Sequence, residues 1–279
     1  MPTSSSAAAS CTFNPSIPTV LSLRSRDTVF ARVGIASEGT AAWNLVLTVM
    51  ARRKASALQP RPPPRLSRKE LGPFEPRLPR FLRETYPAAV MTVQGALSDA
   101  EAAAVCAWAE AIGLDPTLAS SGRPAKGEAY RDAHRALVAD PAFAAALWNS
   151  GLGARVLEAT PILGNGRRAV AFSDQIRLYR YGPGERFGRH YDGHGADSTF
   201  RQTEYTVLFY LSKCEGGETC FYLNHDDPEP AAVVAPAPGL CLLHRHGDEC
   251  LQHEARAVSS GTKYVLRTDV VYSRDNEFA

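Results

Sequence analysis

The chain has 279 residues, of which 44% are hydrophobic, 22% charged and 9% aromatic. These proportions are those of an ordinary globular protein and exclude collagen-like and low-complexity chains. No stretch approaches the roughly 18 consecutive apolar residues of a membrane-spanning helix, so we expect no membrane span. The net charge is +2, but residues 1–83 contain 13 Lys and Arg against 4 Asp and Glu. The rest of the chain is therefore acidic, which argues against binding to the phosphates of a nucleic acid.

Residues 1–58 are predicted to be a largely disordered leader. The first 26 residues are rich in Ser, Thr and Ala and contain no acidic residue, a composition typical of a plastid or mitochondrial transit peptide. A secretory signal needs a compact apolar segment, and Pro15 and Pro18 interrupt the one candidate. The alternative is a disordered tail without a targeting signal, in which case the protein is expected in the cytoplasm.

Residues 59–89 are predicted to be a linker rich in Pro and Arg. Eight of the 20 prolines lie between Pro60 and Pro87. Because proline fixes φ and lacks a backbone donor, we expect this segment to be extended or polyproline II-like and to lie outside the core. Its composition also suits a ligand for a polyproline-binding partner. The folded domain is therefore expected to span residues 90–279.

Two helices are predicted in the first part of this domain. Ser98 and Glu101 have the spacing of a capping box, and an apolar run of helical period follows them. Asp140 and Pro141 have the residue types of an N-cap and a first helical position, and they begin the second helix, which is expected to run to Gly151. We expect both helices to be packing elements rather than carriers of chemistry.

From Phe172 onward, the pattern changes to short runs rich in β-branched and aromatic residues, separated by Gly, Asn and Pro. The clearest strands cover Gln175–Tyr181, Tyr205–Leu211 and Lys263–Tyr272. No long helices alternate with these strands, so a parallel sheet is not expected. The predicted fold class is α+β, with a barrel or jelly roll of short strands.

A candidate metal site begins at His190 and Asp192, which are separated by one residue. Residues two apart in a strand point the same way, so both side chains can reach one ion. His253 offers a third ligand, and two imidazoles with one carboxylate form the facial triad of non-haem Fe(II) oxygenases. A zinc-dependent hydrolase using the same three ligands is the alternative. Cys250 and His244 lie nearby in sequence and are interpreted as buried packing residues.

The motifs around this triad occur in a characteristic order. The segment RLYRYGPGERFGRHYDG is followed by YTVLFYLSKCEGGETCFY and then by GLCLLHRHGDECLQHEARAVSSGTKYVLRTDVVY. In this order they resemble the catalytic domain of 2-oxoglutarate/Fe(II)-dependent dioxygenases of the prolyl 4-hydroxylase type, over roughly residues 90–275. The resemblance implies a double-stranded β-helix (jelly roll) barrel with N-terminal supporting helices.

The resemblance also assigns roles to individual residues. It implies that Fe(II) is bound by three residues: His190, Asp192 and His253. It implies that Lys263 pairs with the C5 carboxylate of 2-oxoglutarate, a charge-assisted contact suited to a dianion. Arg267 lies on the same strand face and is the fallback for this role or a substrate contact, unless Asp269 neutralises it.

Four further residues are predicted to contact the co-substrate or to line its pocket. Tyr181 matches a family tyrosine whose hydroxyl hydrogen-bonds 2-oxoglutarate. Thr206 and Tyr210 share one face of their strand and are expected to line the same pocket, as is Thr219; the alternative is that they are ordinary barrel core. The sequence departs from the family at Ala255, where a glycine is usual, and this departure affects the expected substrate class rather than the metal.

The implied activity is hydroxylation of a substrate coupled to oxidative decarboxylation of 2-oxoglutarate to succinate and CO₂. The expected cofactors are Fe(II), 2-oxoglutarate and O₂, with L-ascorbate as an auxiliary. The expected substrate is a prolyl or other protein side chain, or a small molecule. A catalytically silent jelly-roll binding module is a further alternative, and the presence of all three ligands and Lys263 argues against it.

Overall fold

The computed structural model describes residues 62–117, 124 and 129–274. The predicted leader, residues 1–58, lies outside the described residues. Within them, three α-helices precede most of the strands: α1 (Asp99–Ile112), α2 (Pro141–Leu147) and α3 (Gly153–Ala159).

The described residues form sixteen strands in three antiparallel sheets. The strands are β1 (Glu75–Pro76), β2 (Val90–Val93), β3 (Asp115–Pro116), β4 (His134–Ala139), β5 (Arg168–Phe172), β6 (Gln175–Tyr181), β7 (Phe187–His190), β8 (Gly195–Ala196), β9 (Gln202–Tyr210), β10 (Cys214–Gly216), β11 (Thr219–Tyr222), β12 (Ala232–Val234), β13 (Cys241–Arg245), β14 (Gln252–Ala255), β15 (Val258–Gly261) and β16 (Lys263–Ser273). The large sheet has the order β1-β2-β13-β9-β16-β6-β4-β3, with β5 beside β16 and β8 beside β9. The small sheet has the order β12-β11-β14-β7, and β10 pairs with β15.

Both predicted helix starts are confirmed. The Ser98 side chain accepts from the backbone N–H of Glu101, and the Glu101 carboxylate accepts from the backbone N–H of Ser98, which completes the capping box of α1. The Asp140 side chain caps α2 by accepting from the N–H of Phe143. The second helix does not run unbroken to Gly151, because a π-helical turn over Trp148–Leu152 separates α2 from α3.

The large sheet lies between the helices and the small sheet, and strand alternation decides which side chain faces which neighbour. Along β9, Val207 and Phe209 pack in a hydrophobic cluster with the buried faces of the helices. The alternate side chains of β9, Leu208 and Tyr210, point to a second cluster that also contains Phe221 of the small sheet. The candidate site lies on this second side, between the two sheets.

The predicted α+β class and jelly-roll arrangement of antiparallel sheets are confirmed. The two sheets of the jelly roll do not close into a continuous barrel: in the described residues, strand pairing does not join the large and small sheets into one ring. Side-chain packing, rather than a continuous ladder of backbone hydrogen bonds, holds the two sheets together.

The expectation that residues 59–89 lie outside the core is wrong for part of this segment. Leu71, Phe74 and Leu78 are buried, and β1 pairs with β2. Lys69 forms an ion pair of 2.7 Å with Glu101 of the α1 cap. The segment is extended, as its prolines require, but its apolar residues between the prolines pack on the domain. The domain bounds themselves, 1–58, 59–89 and 90–279, stay predictions.

No helix in the described residues is both long enough and apolar enough to cross a lipid bilayer.

Candidate metal centre

Strands β7 and β14 of the small sheet bring two histidines together that are far apart in sequence. In their antiparallel pairing, His190 lies directly opposite His253, and the centroids of the two rings are 4.2 Å apart. Asp192 completes the group: the ligand atoms of the three residues all lie within 4.8 Å of one another. The structure therefore brings the three predicted metal ligands into one cluster.

The route by which Asp192 reaches the cluster differs from the sequence prediction. We expected His190 and Asp192 to share one face of a strand, but β7 ends at His190. Asp192 instead lies in the following loop, where its N–H donates to the Cys250 thiol sulfur and its carbonyl accepts from the N–H of Gly247. These two backbone contacts, rather than strand alternation, fix the position of the carboxylate.

Both histidines present the same nitrogen to Asp192. The Nδ1 of His190 lies 2.8 Å from the Gly188 carbonyl, and the Nδ1 of His253 lies 3.0 Å from the Leu251 carbonyl. A carbonyl can only accept, so each Nδ1 carries the proton and each Nε2 keeps its lone pair. The two Nε2 atoms lie 3.7 and 3.8 Å from the Asp192 carboxylate oxygens.

Burial keeps the two imidazoles neutral. It lowers the pKa of His190 to about 3 and that of His253 to about 4. Neutral imidazole is the form that binds a metal ion, so neither ring has to lose a proton near neutral pH.

The Asp192 carboxylate is buried, charged and held from two sides. Thr206 donates its hydroxyl to one oxygen at 2.8 Å, and Arg267 donates to the other at 3.0 Å. Burial favours the neutral acid, but the charge of Arg267 outweighs it and holds the pKa of Asp192 well below its usual range. Two neutral imidazole nitrogens and one ionised carboxylate suit Fe(II) in a facial triad, so the residues present fit the metal that the sequence resemblance implies.

Arg267 belongs to a closed ion-pair network. Besides Asp192, its guanidinium donates to Asp269 at 3.3 Å, and Arg177 donates to the other oxygen of Asp269 at 2.9 Å. The sequence analysis gave Asp269 as the residue that could neutralise Arg267, and the structure pairs them. Arg267 therefore already has two carboxylate partners.

Lys263 lies in a different environment. It is only 2% exposed, and its ammonium donates at 2.6 Å to the backbone carbonyl of Gly217. The rings of Tyr181 and Tyr210 are 5.3 and 5.6 Å from Nζ. Among the described residues, Lys263 forms no ion pair, and burial lowers its pKa to about 8. It is therefore a buried cation without a counterion.

A cavity opens between the two sheets beside the metal cluster. Its lining residues include the three candidate ligands together with Tyr181, Thr206, Thr219 and Arg267. Tyr210 is adjacent rather than lining, and its hydroxyl donates to Thr219 at 2.7 Å. Lys263 is not among the lining residues either, but its ammonium lies next to the ring of Tyr181. Thr206 binds Asp192, so it contacts the metal end of the cavity.

One residue of the site was missed by the sequence analysis. His244 is buried, as expected, but it also lines the cavity, and its Nε2 lies 3.7 Å from the Asp192 carboxylate. Alternation placed it on the same strand face as Leu242. The missing information was that this face is the one that borders the cavity.

The sequence of the site region matches a known family. Residues 176–268 match the model described as the 2OG-Fe(II) oxygenase superfamily. This range contains the three candidate ligands and Lys263, and it confirms the resemblance drawn from the motifs. No curated protein matches the sequence of the chain.

Several solved structures are similar to this chain at low identity. One is a viral collagen prolyl hydroxylase from Paramecium Bursaria Chlorella virus-1, with 20% identity, a TM-score of 0.46, and coverage of 65% of this chain and 94% of that chain. Another is a prolyl-4-hydroxylase from Pseudomonas putida, with 17% identity, a TM-score of 0.47, and coverage of 68% and 96%. A third is a prolyl hydroxylase from Trichoplax adhaerens in complex with a hypoxia inducible factor peptide fragment, with 16% identity, a TM-score of 0.47, and coverage of 68% and 86%.

Proposed function

We propose that this chain, whose residues 176–268 match the 2OG-Fe(II) oxygenase superfamily, is an Fe(II)- and 2-oxoglutarate-dependent dioxygenase that hydroxylates its substrate. The observation that carries the proposal is the convergence of His190, Asp192 and His253 on one point beside a cavity. When bound, Fe(II), 2-oxoglutarate and O₂ supply the oxidative decarboxylation to succinate and CO₂ and the hydroxylation of the substrate.

The three ligands are assigned as the holders of Fe(II). The backbone carbonyls that accept from each Nδ1 fix the tautomer and the ring orientation of His190 and His253, so that both lone pairs point to the site before any ion arrives. Arg267 and Thr206 do the same for Asp192, since each holds one of its carboxylate oxygens. The site is therefore preorganised for an ion.

Lys263 is assigned as the partner of the C5 carboxylate of 2-oxoglutarate. A buried ammonium with one neutral acceptor is costly to keep charged, and a dianion supplies the missing counterion. Arg267 was the fallback for this role, but its guanidinium already contacts two carboxylates, so we assign it to the positioning of Asp192. The hydroxyl of Tyr181 is assigned as a neutral contact to the same co-substrate, because the residue lines the cavity next to Lys263.

The principal test is turnover of 2-oxoglutarate by the purified full-length chain. We expect succinate to form only when Fe(II) and O₂ are both supplied, with L-ascorbate sustaining the rate. His253→Ala is expected to abolish turnover and to weaken binding of Mn(II), a redox-silent probe of the site. His134→Ala, which removes a partly exposed imidazole on β4, is the matched control and should retain both. Full turnover in the His253 variant would refute the ligand assignment.

For the substrate, we propose a prolyl or other protein side chain as the first class to test and a small metabolite as the second. Ala255, the position at which the sequence departs from the family, lines the cavity, so the departure lies where a substrate contact is expected. Proteins and metabolites of cells that produce His190→Ala can be compared with those of the parent. The expected difference is the loss of products that are heavier by one oxygen atom.

A further inference from the structure

A second group of metal-binding side chains overlaps the site described above. The ligand atoms of His244, Cys250 and His253 all lie within 4.8 Å of one another, and all three residues are buried. This group shares His253 with the predicted iron ligands and replaces a carboxylate with a thiol. The sequence analysis interpreted Cys250 and His244 as packing residues. In the proposed iron site, Cys250 contacts the backbone N–H of Asp192, and His244 has no assigned role.

His244 has an unused lone pair in this group. Its Nδ1 lies 3.0 Å from the Arg245 carbonyl, so Nδ1 carries the proton and Nε2 carries the lone pair. The residue is 1% exposed, and Nε2 has no hydrogen-bond partner among the described residues. An Asp192 carboxylate oxygen lies 3.7 Å from this Nε2 and cannot donate to it. A buried lone pair that faces a carboxylate lacks the electrophilic partner that such groups ordinarily have.

Cys250 is a neutral thiol in the metal-free protein: it donates to the Leu251 carbonyl at 3.3 Å, and burial raises its pKa to about 12. The backbone N–H of Asp192 donates to Sγ at 3.3 Å, and His253 Nδ1 lies 3.8 Å from the same atom. A metal ion that binds here displaces the thiol proton to solvent and is held by the resulting thiolate.

We propose that His244, Cys250 and His253 form a second metal site, which takes a soft divalent ion such as Zn²⁺ and excludes Fe(II) from the first. Two imidazoles and a thiolate are a zinc ligand set, and they leave one tetrahedral position for solvent. Thiolate ligands select zinc, whereas the carboxylate of Asp192 suits the harder Fe(II). Because His253 belongs to both groups, the two ions compete for one protein molecule.

X-ray absorption at the zinc edge tests the site directly. Untagged full-length protein, freed of metal and loaded with one equivalent of Zn²⁺, should show one sulfur scatterer at about 2.3 Å. His190→Ala removes a ligand of the first site only and should keep this sulfur. Cys250→Ser should lose it, and the matched control Cys106→Ser, which removes a partly buried thiol on α1, should keep it. A zinc shell of nitrogen and oxygen alone in the unsubstituted protein overturns the proposal, as does a sulfur signal that survives in Cys250→Ser.

Affinity measurements test the contribution of His244. Substitution of an outer partner of a metal ligand costs about 10–100-fold in affinity, so loss of a direct ligand in His244→Phe should weaken Zn²⁺ binding by at least about tenfold. Circular dichroism of each variant separates this effect from misfolding. The sulfur scatterer in the unsubstituted protein tests the site even if a variant fails to fold. Unchanged Zn²⁺ affinity in a folded His244→Phe overturns the assignment of this residue.

The expected inhibition of turnover by Zn²⁺ rests on the proposed dioxygenase function, whereas the existence of the zinc site does not. Zn²⁺ should inhibit succinate formation, added Fe(II) should relieve the inhibition, and Cys250→Ser should need at least about tenfold more Zn²⁺ for the same effect. If the chain forms no succinate under any condition, the proposed function fails while the absorption result still decides the zinc site. Inhibition that Fe(II) does not relieve would contradict the sharing of His253.

Discussion

The two cations of the site lie on the same strand but are neutralised to very different extents. Arg267 donates to Asp192 and to Asp269, so the charges at the metal end of the cavity are paired inside the protein. Lys263 is more deeply buried than Arg267, yet its ammonium donates to the neutral carbonyl of Gly217. One end of the cavity is electrostatically complete, and the other has a cation in excess.

This difference in charge compensation distinguishes the role of Arg267, which positions Asp192, from that of Lys263, which is proposed to bind the co-substrate. A network whose charges are all paired keeps its geometry without a ligand, which suits a group that must hold a metal carboxylate in place. An unpaired buried cation destabilises the fold until an anion arrives, which suits a group that must bind a dianion. Substitutions at the two ends should therefore change stability in opposite directions.

The largest expected effect is that of Arg267→Met on stability. The substitution leaves Asp192 without its cation and Asp269 with only one, and breaking a buried ion pair in this way costs roughly 3–5 kcal/mol. Urea denaturation of the metal-free protein measures the loss. Arg177→Met is the matched control, since it removes a more exposed partner of Asp269 and should cost much less. Equal losses in the two variants would show that the Asp192 contact contributes little.

Lys263→Met should have the opposite effect on stability. Removing an uncompensated buried charge is expected to raise the free energy of unfolding at pH 7 by about 1–3 kcal/mol, given about 1.4 kcal/mol per pKa unit less one hydrogen bond. The same variant should raise the KM for 2-oxoglutarate strongly, because the co-substrate loses its counterion. A variant that is destabilised and has an unchanged KM would remove Lys263 from the co-substrate site.

The stability gain of Lys263→Met should depend on pH. The folded-state pKa of Lys263 is lowered from 10.5 to about 8 by burial, so between these values the unfolded chain binds more protons than the folded one. Stability of the unsubstituted protein therefore rises with pH in this window. The advantage of the variant should be full below about pH 8 and should vanish as pH approaches 10.5. Thermal melts of both proteins across this range measure the difference.

Thr206→Val should have a smaller effect at the metal end of the cavity than Arg267→Met. The isosteric change removes the hydroxyl that donates to Asp192 and should weaken Mn(II) binding by about tenfold, as loss of an outer partner of a metal ligand does. Thr268→Val is the control: Thr268 lies on the same sheet and is equally buried, but its hydroxyl donates to the Ser173 carbonyl. It should alter stability without altering metal affinity. Equal weakening in both variants would point to a general loss of packing.

The smallest expected effect is that of Tyr210→Phe. Its hydroxyl donates to Thr219, and loss of one buried hydrogen bond costs about 1 kcal/mol. Affinity for 2-oxoglutarate should stay unchanged, whereas Tyr181→Phe, at a residue that lines the cavity, should lower it. A larger loss of affinity in Tyr210→Phe than in Tyr181→Phe would reverse the two assignments.

Local sequence signals predicted much of the fold. The capping box of α1 and the Asp140 cap are decided by contacts within a few residues, so they could be recognised directly. Strand β6 spans the predicted Gln175–Tyr181, because alternation reports which face is buried. Strand β4 was missed, since its two polar residues are followed by four consecutive apolar ones and the strand shows no alternation. The Pro-rich segment was misjudged because burial of Leu71 and its neighbours depends on a surface that sequence does not reveal.

The amino-acid sequence by itself determined the inventory of the site: two histidines, an aspartate and a lysine, in an order of motifs that indicated their chemistry. Tertiary structure alone decided which groups are paired. Strand register set His190 opposite His253, the loop contacts of Asp192 brought its carboxylate to them, and the sheet face of His244 turned a packing residue into a cavity residue. The physical reason is that residue type and period are local properties, whereas charge compensation depends on distances between strands that are remote in sequence.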